Sequence, residues 1–467
     1  MAHWNGGKIE HSPGNNIPLA VLALALILLL FICVDLSPVN SALPWPLANQ
    51  ILSQVKPPVF PNQIFSVISF GAVGDGKTDD TAAFARAISA CNAAGGGHVV
   101  VPAGTYLTGA ILLKSNVDLH LEKGSILMFS ELEREYPLEP TRYQGIDLMN
   151  FSPLVYIPNA TNVAITGSGT LDGALTQIWN WDAYGAWELL EKMGHDGVPI
   201  AQRVFGPRFP LRTVFLEPYN STNVLIQGIT IRNSFFWQIH PLLCTNVIVD
   251  HVTTNSTAGN SDGCDPEGSK NVIIENCNFS TGDDDIAIKA GRNFDSQRTH
   301  RPSENIVVIN CTFHGTWGMI SCGSEQSDGV AHVFAYNLST SQNGDHPGVR
   351  YLLYLKSNSR RGGYIEDINL DKITGVFTGG IVHATMTYNG ETGPSPPRVE
   401  NITLSNITDA SAPYVLNMIG LPNDPIKAFT LTDSTFINIA QDENLVQNVD
   451  LIVHNVTING RAMKSPD

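Results

Sequence analysis

Short apolar runs, most of them opening on asparagine, recur along the middle and end of the chain. Alternating β-branched residues predict a strand in each run. The intervals 246−223 = 23 and 271−246 = 25 are nearly constant, and the longer interval 305−271 = 34 fits a loop insertion on one side of a solenoid. A strand repeat with a period in the twenties and no helical pattern between units predicts a parallel β-helix. The runs open at Asn162, Asn223, Asn246, Asn271, Asn305, Asn401 and Asn448.

The solenoid is predicted to form one all-β domain over residues 65–460, because each coil buries its apolar face only against its neighbours. A segment from Phe70 to Phe84 precedes the repeats and continues as a predicted helix to about Asn92. This helix would cap the apolar end of the first coil. Its acidic residues are assigned to capping and turns rather than to a metal loop, since an EF-hand needs further ligands at fixed offsets. They are Asp75, Asp79 and Asp80.

The N-terminus carries an apolar run over residues 17–34, which is 18 residues long. This length reaches the lower end of the roughly 17–25 residues that span a bilayer, and it exceeds the core of about 7–15 residues usual in a signal peptide. Both a cleaved signal and an uncleaved membrane anchor remain open, and both predict the secretory pathway. We therefore divide the chain into a targeting segment 1–41, a linker 42–64, the solenoid and a tail 461–467.

Composition narrows the possible partners. The chain has 467 residues, and 27 Lys+Arg against 43 Asp+Glu give a net charge of −16. Nucleic-acid binding needs concentrated basic residues, so it is excluded. An acidic polysaccharide substrate would need local positive charge, and we expect the secreted or cell-surface protein to act as a monomer.

Sequons and cysteines agree with a secretory route. Six of the 7 cysteines lie outside the apolar run, an even number compatible with complete disulfide pairing. None has CxxC spacing, so no metal site or cofactor is predicted. Asn-x-Ser/Thr sequons occur at Asn150, Asn159, Asn220, Asn255, Asn278, Asn310, Asn337, Asn401, Asn406 and Asn455.

Two acidic motifs lie about one repeat apart. Asp262 and Asp283 are separated by 283−262 = 21 residues, and Asp284 follows directly. Neighbouring coils are about 4.8 Å apart, so the three carboxylates are expected to converge. Their proximity should raise the pKa of one of them and keep it protonated, as a general acid beside a general base requires. Cleavage of a glycosidic bond uses such a pair.

Five motifs in sequence order resemble those of the polygalacturonases, glycoside hydrolase family 28. The resemblance implies a right-handed parallel β-helix that hydrolyses α-1,4-linked galacturonan with inversion. It implies that Asp283 is the general acid, that Asp262 and Asp284 activate water, and that acid and base lie further apart than in a retaining enzyme. The motifs are Asn260-Ser-Asp262, Thr281-Gly-Asp283-Asp284, the run Ile-Ala-Ile-Lys-Ala-Gly ending at Gly291, Gly323-Ser-Glu325, and Lys356 followed by Arg361-Gly-Gly363.

The residues expected to bind substrate depart from this family pattern at two positions. Gly318 stands where the family has a histidine, and His314 is a possible substitute. Tyr354 stands where the family has the arginine of Arg-x-Lys, a bidentate carboxylate ligand that tyrosine cannot reproduce. Arg350, Arg360 and Arg361 are possible replacements, and His240 could border the site. The predicted substrate-binding residues are Asn260, Lys356, Tyr388 and the sugar-stacking pair Trp317 and Tyr354.

Three hypotheses follow from these residues. The first is a polygalacturonase-like hydrolase, with a modified pectin such as a rhamnogalacturonan as a variant substrate. The second is a lyase on the same fold, which would use a strong base and often calcium. The third is a non-catalytic carbohydrate-binding β-helix, favoured by the missing histidine and arginine. Whether the cleft works in endo or exo mode depends on the long stretches 141–147, 179–204 and 293–302.

Overall fold

The computed structural model describes residues 1, 3, 42–174, 176, 182–207, 209–341, 347–441 and 444–464. The chain divides into a unit Met1–Pro44 and a compact unit Trp45–Asp467. The predicted signal or anchor over residues 17–34 lies outside the described residues. Among the helices that are described, none combines the length and apolar character needed to cross a bilayer.

The compact unit is a parallel β-helix, as predicted. Val224 pairs with Val247, which pairs with Val272, which pairs with Ile306, each one coil further along the stack. All four side chains are buried, and this inward row of β-branched residues forms part of a continuous core. The periodic runs predicted from the sequence are therefore strands of one long sheet, and their β-branched side chains point into the core.

The long sheet has 22 strands. The strands are Ile64–Ser66, Asp75–Asp79, Gly97–Val101, Gly104–Thr108, Val117–Leu121, Ser125–Phe129, Thr161–Gly167, Thr170–Asp172, Thr222–Gln227, Thr230–Arg232, Thr245–Asp250, Thr253–Asn255, Lys270–Glu275, Asn278–Phe279, Ser303–Ile309, Thr312–Phe313, Val330–Thr340, Tyr364–Val376, Arg398–Ser411, Ile426–Phe436, Val449–Ile458 and Arg461–Ala462.

A second stack of shorter strands carries the functional residues, and we call it the short-strand face. It consists of a three-stranded and a six-stranded parallel sheet. Isolated bridges from Leu216 through Ile239 and Cys264 to Ile286 join the two sheets. The strands are Ile111–Leu112, Val155–Pro158, Leu216–Tyr219, Ile286–Ile288, Gly318–Cys322, Tyr351–Lys356, Gly380–Thr385, Leu416–Ile419 and Leu445–Gln447.

The asparagines that open the runs form a ladder along the turns of the solenoid. Asn246 has φ 59°, a left-handed conformation that asparagine tolerates better than most residues. Its amide donates to Asn223 at 3.0 Å, and it accepts from Asn271 at 3.0 Å. The ladder continues to Asn162 and Asn305 with hydrogen bonds of 3.1 and 2.9 Å. One residue type thus supplies both the turn geometry and the contact between coils.

Two helices are described before strand Gly97–Val101, one lying against the long sheet and the other at the N-terminal end of the solenoid. Helix α1, Pro46–Gln54, lies within the segment predicted to be a linker and contacts strand Ser303–Ile309. Helix α2, Thr81–Ala93, buries Phe84 and Ile88 in the core, which confirms the predicted cap. Asp80 accepts the backbone N–H groups of Val73 and Gly74, a turn role rather than a metal role. In the predicted tail, Arg461–Ala462 pairs antiparallel with the preceding strand.

Three insertions overlap the stretches predicted as cleft loops, and the first of them extends beyond its predicted stretch 141–147 at both ends. One is an antiparallel hairpin formed by Leu138–Tyr143 and Ile146–Phe151. The others contain helix α3, Ala186–His195, and helix α4, Asn293–Gln297. Residues 179–181 lie outside the described residues. The described residues include 3₁₀ helices at Val67–Phe70, Glu133–Glu135, Ile200–Gln202 and Tyr388–Gly390.

The six described cysteines, whose even number is compatible with disulfide pairing, are all free and buried. Cys311, for example, packs inside the solenoid with its thiol 3.3 Å from the carbonyl oxygen of Ile309. The sequons divide into nine exposed asparagines and one buried asparagine, Asn150. The amide of Asn150 donates to the carbonyl of Leu211, so this asparagine is unavailable for glycosylation. Several of the others are turn residues at positive φ, such as Asn337, which explains part of the sequon density.

Candidate active site

Three aspartates converge at the middle of the short-strand face. One carboxylate oxygen each from Asp262, Asp283 and Asp284 lies within 4.8 Å of the others, as the motif spacing predicted. Cys264 pairs with Ile286, a register of 286−264 = 22 residues. Asp262 is therefore level with Asp284, and Asp283 lies one residue before that position. The three groups are closer together than we expected, since inverting glycosidases usually separate their carboxyl groups by about 6.5–9.5 Å.

Asp284 is fully buried beneath the other two and is held from two sides. Its Oδ2 lies 2.5 Å from Nζ of Lys356, and its Oδ1 accepts the backbone N–H of Gly318 at 2.8 Å. A Cβ atom at position 318 would lie 2.1 Å from Oγ of Ser321 and 3.0 Å from Oδ1 of Asp284. Gly318 therefore allows the backbone to approach the carboxylate at the position where a histidine was expected.

Asp262 is compensated by a second buried lysine, Lys289 at the end of strand Ile286–Ile288. Its Nζ lies 3.3 Å from Asp262, 3.9 Å from Asp265 and 3.5 Å from Glu325. It also lies 4.2 Å from the ring centroid of Trp237, a cation–π contact. Burial by itself raises the pKa of Glu325, but the nearby cations, Lys289 foremost, lower it to about 2.

The trio retains a proton near neutral pH. Burial, opposed by Lys289 and reinforced by the neighbouring aspartates, raises the pKa of Asp262 to about 8. Burial and the charge of Asp284 also raise the pKa of Asp283. Both carboxyl groups therefore stay protonated to a higher pH than a free aspartate, as does the buried Asp265, whose pKa is raised by burial and by the charge of Asp262. The amide of Asn260 donates to Oδ2 of Asp283 at 3.2 Å and fixes the orientation of that carboxyl group.

A cavity of about 250 Å³ opens above the trio. Of the predicted site residues, Asn260, Asp262, Asp283, Lys356 and Tyr388 line it. Asp284 is fully buried and is not among the lining residues. Trp317 and Tyr354 are outside its lining, on the adjoining coils of the short-strand face. The remaining lining residues are Gln144, Trp187, Phe236, Trp237, Lys289, Arg292, Ser324, Glu325, Asn389 and Glu391.

Arg292 joins the insertions into one wall of the cavity. Its guanidinium lies 3.3 Å from Glu325, 3.2 Å from Glu391 and 3.5 Å from Glu191 of helix α3. It also stacks 4.8 Å from the ring centroid of Trp187. These contacts connect helix α3, the start of helix α4 and the loop after strand Gly380–Thr385. The cavity is thus bounded by side chains that are far apart in the sequence.

Several lining residues were missed in the sequence. Lys289 belongs to the motif Ile-Ala-Ile-Lys-Ala-Gly that ends at Gly291. Its ion pairs with carboxylates of the preceding and the following coil depend on the register of three coils. Arg292, Trp187 and Glu391 lie in insertions that carry no recognisable motif. A signal was available for Lys289, because a lysine inside an apolar strand run demands a buried acidic partner, and for Ser324 and Glu325, which belong to the motif Gly323-Ser-Glu325.

Gly318 and Tyr354 stand where the family pattern has a histidine and an arginine. The residues that we considered as their replacements are not among the residues that line the cavity. His314 donates from Nδ1 to the carbonyl oxygen of Ser341 at 2.7 Å, and the hydroxyl of Ser341 lies 3.1 Å from the same nitrogen. His240 is fully buried between Glu217 at 2.9 Å and Glu267 at 3.0 Å. Arg361 is fully buried as well and binds Glu391 and the carbonyl of Ser324.

The two remaining arginines also have partners nearby. Arg360 lies 3.4 Å from Glu191. The Arg350 guanidinium packs 4.5 Å from the centroid of Trp317. The oxygens of the trio are spaced so that a cation could bind them, but Lys289 and Lys356 already compensate their charge.

A carboxylate trio that retains a proton, set in a cavity on one face of a parallel β-helix, defines a polysaccharide-cleaving glycosidase. Residues 207–461 match the model of the glycosyl hydrolases family 28, and the chain belongs to this family. Residues 64–121 match a model described as rhamnogalacturonase A/epimerase, pectate lyase-like.

Individual relatives agree with the family. A solved exopolygalacturonase from Thermotoga maritima is 36% identical with a TM-score of 0.85, covering 89% of this chain and 96% of that one. A probable polygalacturonase from Vitis vinifera is 27% identical over 391 residues, 79% of this chain and 73% of that protein. An endo-polygalacturonase from Pectobacterium carotovorum is 26% identical over 351 residues, 73% of this chain and 81% of that protein.

Proposed function

We propose that the protein hydrolyses α-1,4-galacturonosyl linkages of polygalacturonate with inversion at the anomeric carbon. The observation that carries this proposal is the convergence of Asp262, Asp283 and Asp284 beneath one cavity. Membership of family 28 supports hydrolysis rather than elimination. A pectic polyanion also needs cations at the cleft, and Lys289, Arg292 and Lys356 are placed there despite the net charge of −16.

In this proposal Asp283 protonates the leaving glycosidic oxygen. It lines the cavity, it is only half-buried, and its pKa is raised by burial and by Asp284. Asn260 holds its carboxyl group in position. Asp284, fixed by Lys356 and by the N–H of Gly318, orients a water molecule together with Asp262. The water gives a proton to one of these two carboxylates and attacks the anomeric carbon as the C–O bond to the leaving sugar breaks.

We further infer exo action, with one chain end enclosed in the cavity. Its volume of about 250 Å³ is below the roughly 300–1,000 Å³ of pockets that enclose drug-sized ligands. The wall formed by Trp187, Arg292 and Glu391 closes one side of it. The solved relative with 36% identity is described as an exopolygalacturonase, which favours the same mode.

Product profiling on polygalacturonate tests the reaction and its mode together. We expect monomer or dimer to accumulate from the start and the Asp283→Asn variant to be inactive while remaining folded. The matched control is Asp424→Asn, an exposed aspartate on a distant turn. Release of long oligomers would contradict exo action but would leave the proposed hydrolysis standing. Unsaturated products absorbing in the ultraviolet, lost on chelation, would contradict hydrolysis.

The stereochemical course has its own measurement. Hydrolysis of an α-linkage with inversion releases the β-anomer first, and proton NMR of the first products identifies it. A first product with the α-configuration would assign a retaining reaction, for which carboxyl groups separated by about 5–5.5 Å are typical.

We also propose entry into the secretory pathway through residues 1–41, with glycosylation at some of the nine exposed sequons. The apolar run over residues 17–34 and the exposure of these asparagines support this. Expression in a eukaryotic cell, followed by glycosidase digestion and alkaline extraction of membranes, separates a cleaved signal from an anchor. An unglycosylated protein in the cytosolic fraction would contradict the proposal.

A further inference from the structure

Arg350 is an exposed arginine of the short-strand face, directly before strand Tyr351–Lys356. Its guanidinium carbon lies 4.5 Å from the ring centroid of Trp317 and 5.3 Å from that of Tyr351. Among the described residues, this guanidinium has no carboxylate at ion-pair distance and no acceptor for its N–H groups. A guanidinium that stacks on ring faces keeps the N–H groups at its edge free to donate. Arg350 is therefore available to bind a carboxylate from outside the protein.

The backbone around Arg350 restricts where its side chain can lie. The N–H groups of Arg350 and Tyr351 donate to the carbonyl of Trp317 at 2.8 and 3.0 Å. The carbonyl of Arg350 accepts the N–H groups of Gly379 and Gly380 at 2.9 and 3.0 Å. A Cβ atom at position 379 would lie 2.4 Å from Cγ of Arg350, so the stem of the arginine lies directly against this glycine. The side chain is thus held between the preceding and the following coil.

The register places Arg350 beyond the cavity along the stack. Asp284 is level with Gly318, whose N–H it accepts, and Gly318 pairs with Tyr351. Tyr351 is therefore two coils beyond Asp284, or about 10 Å along the stack. Neither Arg350 nor Trp317 lines the cavity. A substrate chain that leaves the cavity along the stack would bring the sugar next to the enclosed one toward Arg350.

The cations that line the cavity differ from Arg350 because protein carboxylates already pair with them. Lys289, Arg292 and Lys356 each contact at least one carboxylate. A substrate carboxylate beside them competes with these pairs, whereas at Arg350 it meets a charge that no described carboxylate neutralises. Burial, and then the charge of Arg350, lower the pKa of His383, which agrees with an unneutralised guanidinium nearby.

We propose that Arg350 binds the free carboxylate of the galacturonate next to the enclosed one, across the scissile bond. This inference rests on the proposed function and names the form of pectin that the site prefers, which is unesterified at this sugar. A guanidinium matches a carboxylate with two parallel hydrogen bonds, whereas a methyl ester brings no charge to pair. The rings of Trp317 and Tyr351 hold the guanidinium in place for this contact.

The test compares two short oligogalacturonides with the same free terminal residue. In one, the second residue carries a free carboxylate, and in the other it carries a methyl ester. We expect the wild type to have a kcat/KM about tenfold higher for the free acid. Arg350→Gln should lower kcat/KM for the free acid by about tenfold, mainly through KM, and leave the ester nearly unaffected. Arg350→Lys should keep an intermediate preference, because the charge remains while the fork is lost.

The matched control is Arg398→Gln on the long sheet. Arg398 is also exposed and lies over a tyrosine ring, 5.4 Å from the centroid of Tyr364, so its loss should leave both substrates unaffected. Calorimetric binding of the two oligomers to Asp283→Asn, with and without Arg350→Gln, provides a second readout that does not depend on cleavage.

A preference for the free acid that disappears in Arg350→Gln supports the inference. Equal losses on both substrates would assign Arg350 a packing role and overturn it, as would a wild type that treats acid and ester alike. Neither of these results affects the proposed function, which fails only if the wild type leaves unesterified polygalacturonate uncleaved.

Discussion

Lys356 and Asp284 form a buried ion pair across two coils of the solenoid, with 2.5 Å between Nζ and Oδ2. They are 72 residues apart in the sequence. Burial lowers the pKa of Lys356, but Asp284 outweighs it, and the pKa rises above its ordinary value. The lysine that we predicted to bind substrate is therefore also the partner that keeps the central aspartate in place.

Replacing Lys356 by methionine should leave a buried, uncompensated carboxylate. Removing one partner of a buried pair costs about 3–5 kcal/mol, so we expect a comparable loss in the free energy of unfolding. Activity should fall by about two orders of magnitude or more, because Asp284 loses its orientation. Urea denaturation and kcat/KM on polygalacturonate measure the two effects. Lys270→Met, at an exposed pair with Glu304, is the control and should change neither substantially.

The pH dependence of hydrolysis should report the proton held by Asp262 and Asp283. Both have raised pKa values, so the pair keeps its proton below that range and loses it as the pH rises. The general acid is then missing, and kcat/KM should decline on the alkaline side well above the ordinary aspartate pKa of about 3.9. A pH–rate profile on polygalacturonate measures this. Activity declining already above pH 4 would show that the proton is not retained.

Gly318 and Ser321 should be coupled. An alanine at position 318 would place its Cβ 2.1 Å from Oγ of Ser321 and press against Asp284. We expect Gly318→Ala to lower the free energy of unfolding by about 1–3 kcal/mol and to reduce activity. Ser321→Ala alone should be nearly neutral, because its buried hydroxyl has no hydrogen-bond partner among the described residues.

The double variant should recover part of the stability in a double-mutant cycle. Strictly additive effects would mean that the contact with Ser321 does not determine the cost.

His240 should make the folded state sensitive to pH. Burial lowers its pKa, but hydrogen bonds to Glu217 and Glu267 raise it above the ordinary value of about 6.5. Its contribution to stability is therefore complete below about pH 6.5 and is lost as the pH rises through the higher folded value. Glu217 also has a raised pKa, so its contribution to stability is likewise lost as the pH rises. Glu267 has a lowered pKa, so it stabilises the folded state at pH values above the pKa that it has in the unfolded chain.

Denaturation series at several pH values should show this decline in the wild type and a weaker decline in His240→Asn. The exposed His454→Asn serves as the control. Stability that is constant from mildly acidic to alkaline pH would be inconsistent with a charged His240.

The asparagine ladder should contribute through both its conformation and its hydrogen bonds. Asn246→Gly keeps the left-handed turn but removes the bonds to Asn223 and Asn271. Asn246→Ala removes the bonds and also strains the turn at φ 59°, so we expect a further loss of about 1–2 kcal/mol. Thermal or urea unfolding measures the difference. Equal stability of the two variants would show that backbone strain is unimportant here.

The solenoid and its cap were predictable because their signals are local. Strand alternation, the asparagine at each turn and the amphipathic helix around Phe84 lie within a few neighbouring residues. The convergence of Asp262 with Asp283 and Asp284 was also predictable, because the repeat itself fixes which positions lie close. That Asp262 lies level with Asp284 rather than with Asp283 depended on the exact register of the two coils. One residue more or less in a coil would shift this register.

The sequence by itself determined a parallel β-helix with an acidic trio on one face. Only the tertiary structure decided which side chains surround that trio. Arg292 meets Glu391 across 99 residues, and Lys289 meets three carboxylates from two other coils. The physical reason is the sequence separation of the residues that interact. Periodicity and turn geometry depend on adjacent residues. The insertions line the cavity, and the lysines neutralise the carboxylates, only when distant coils pack together.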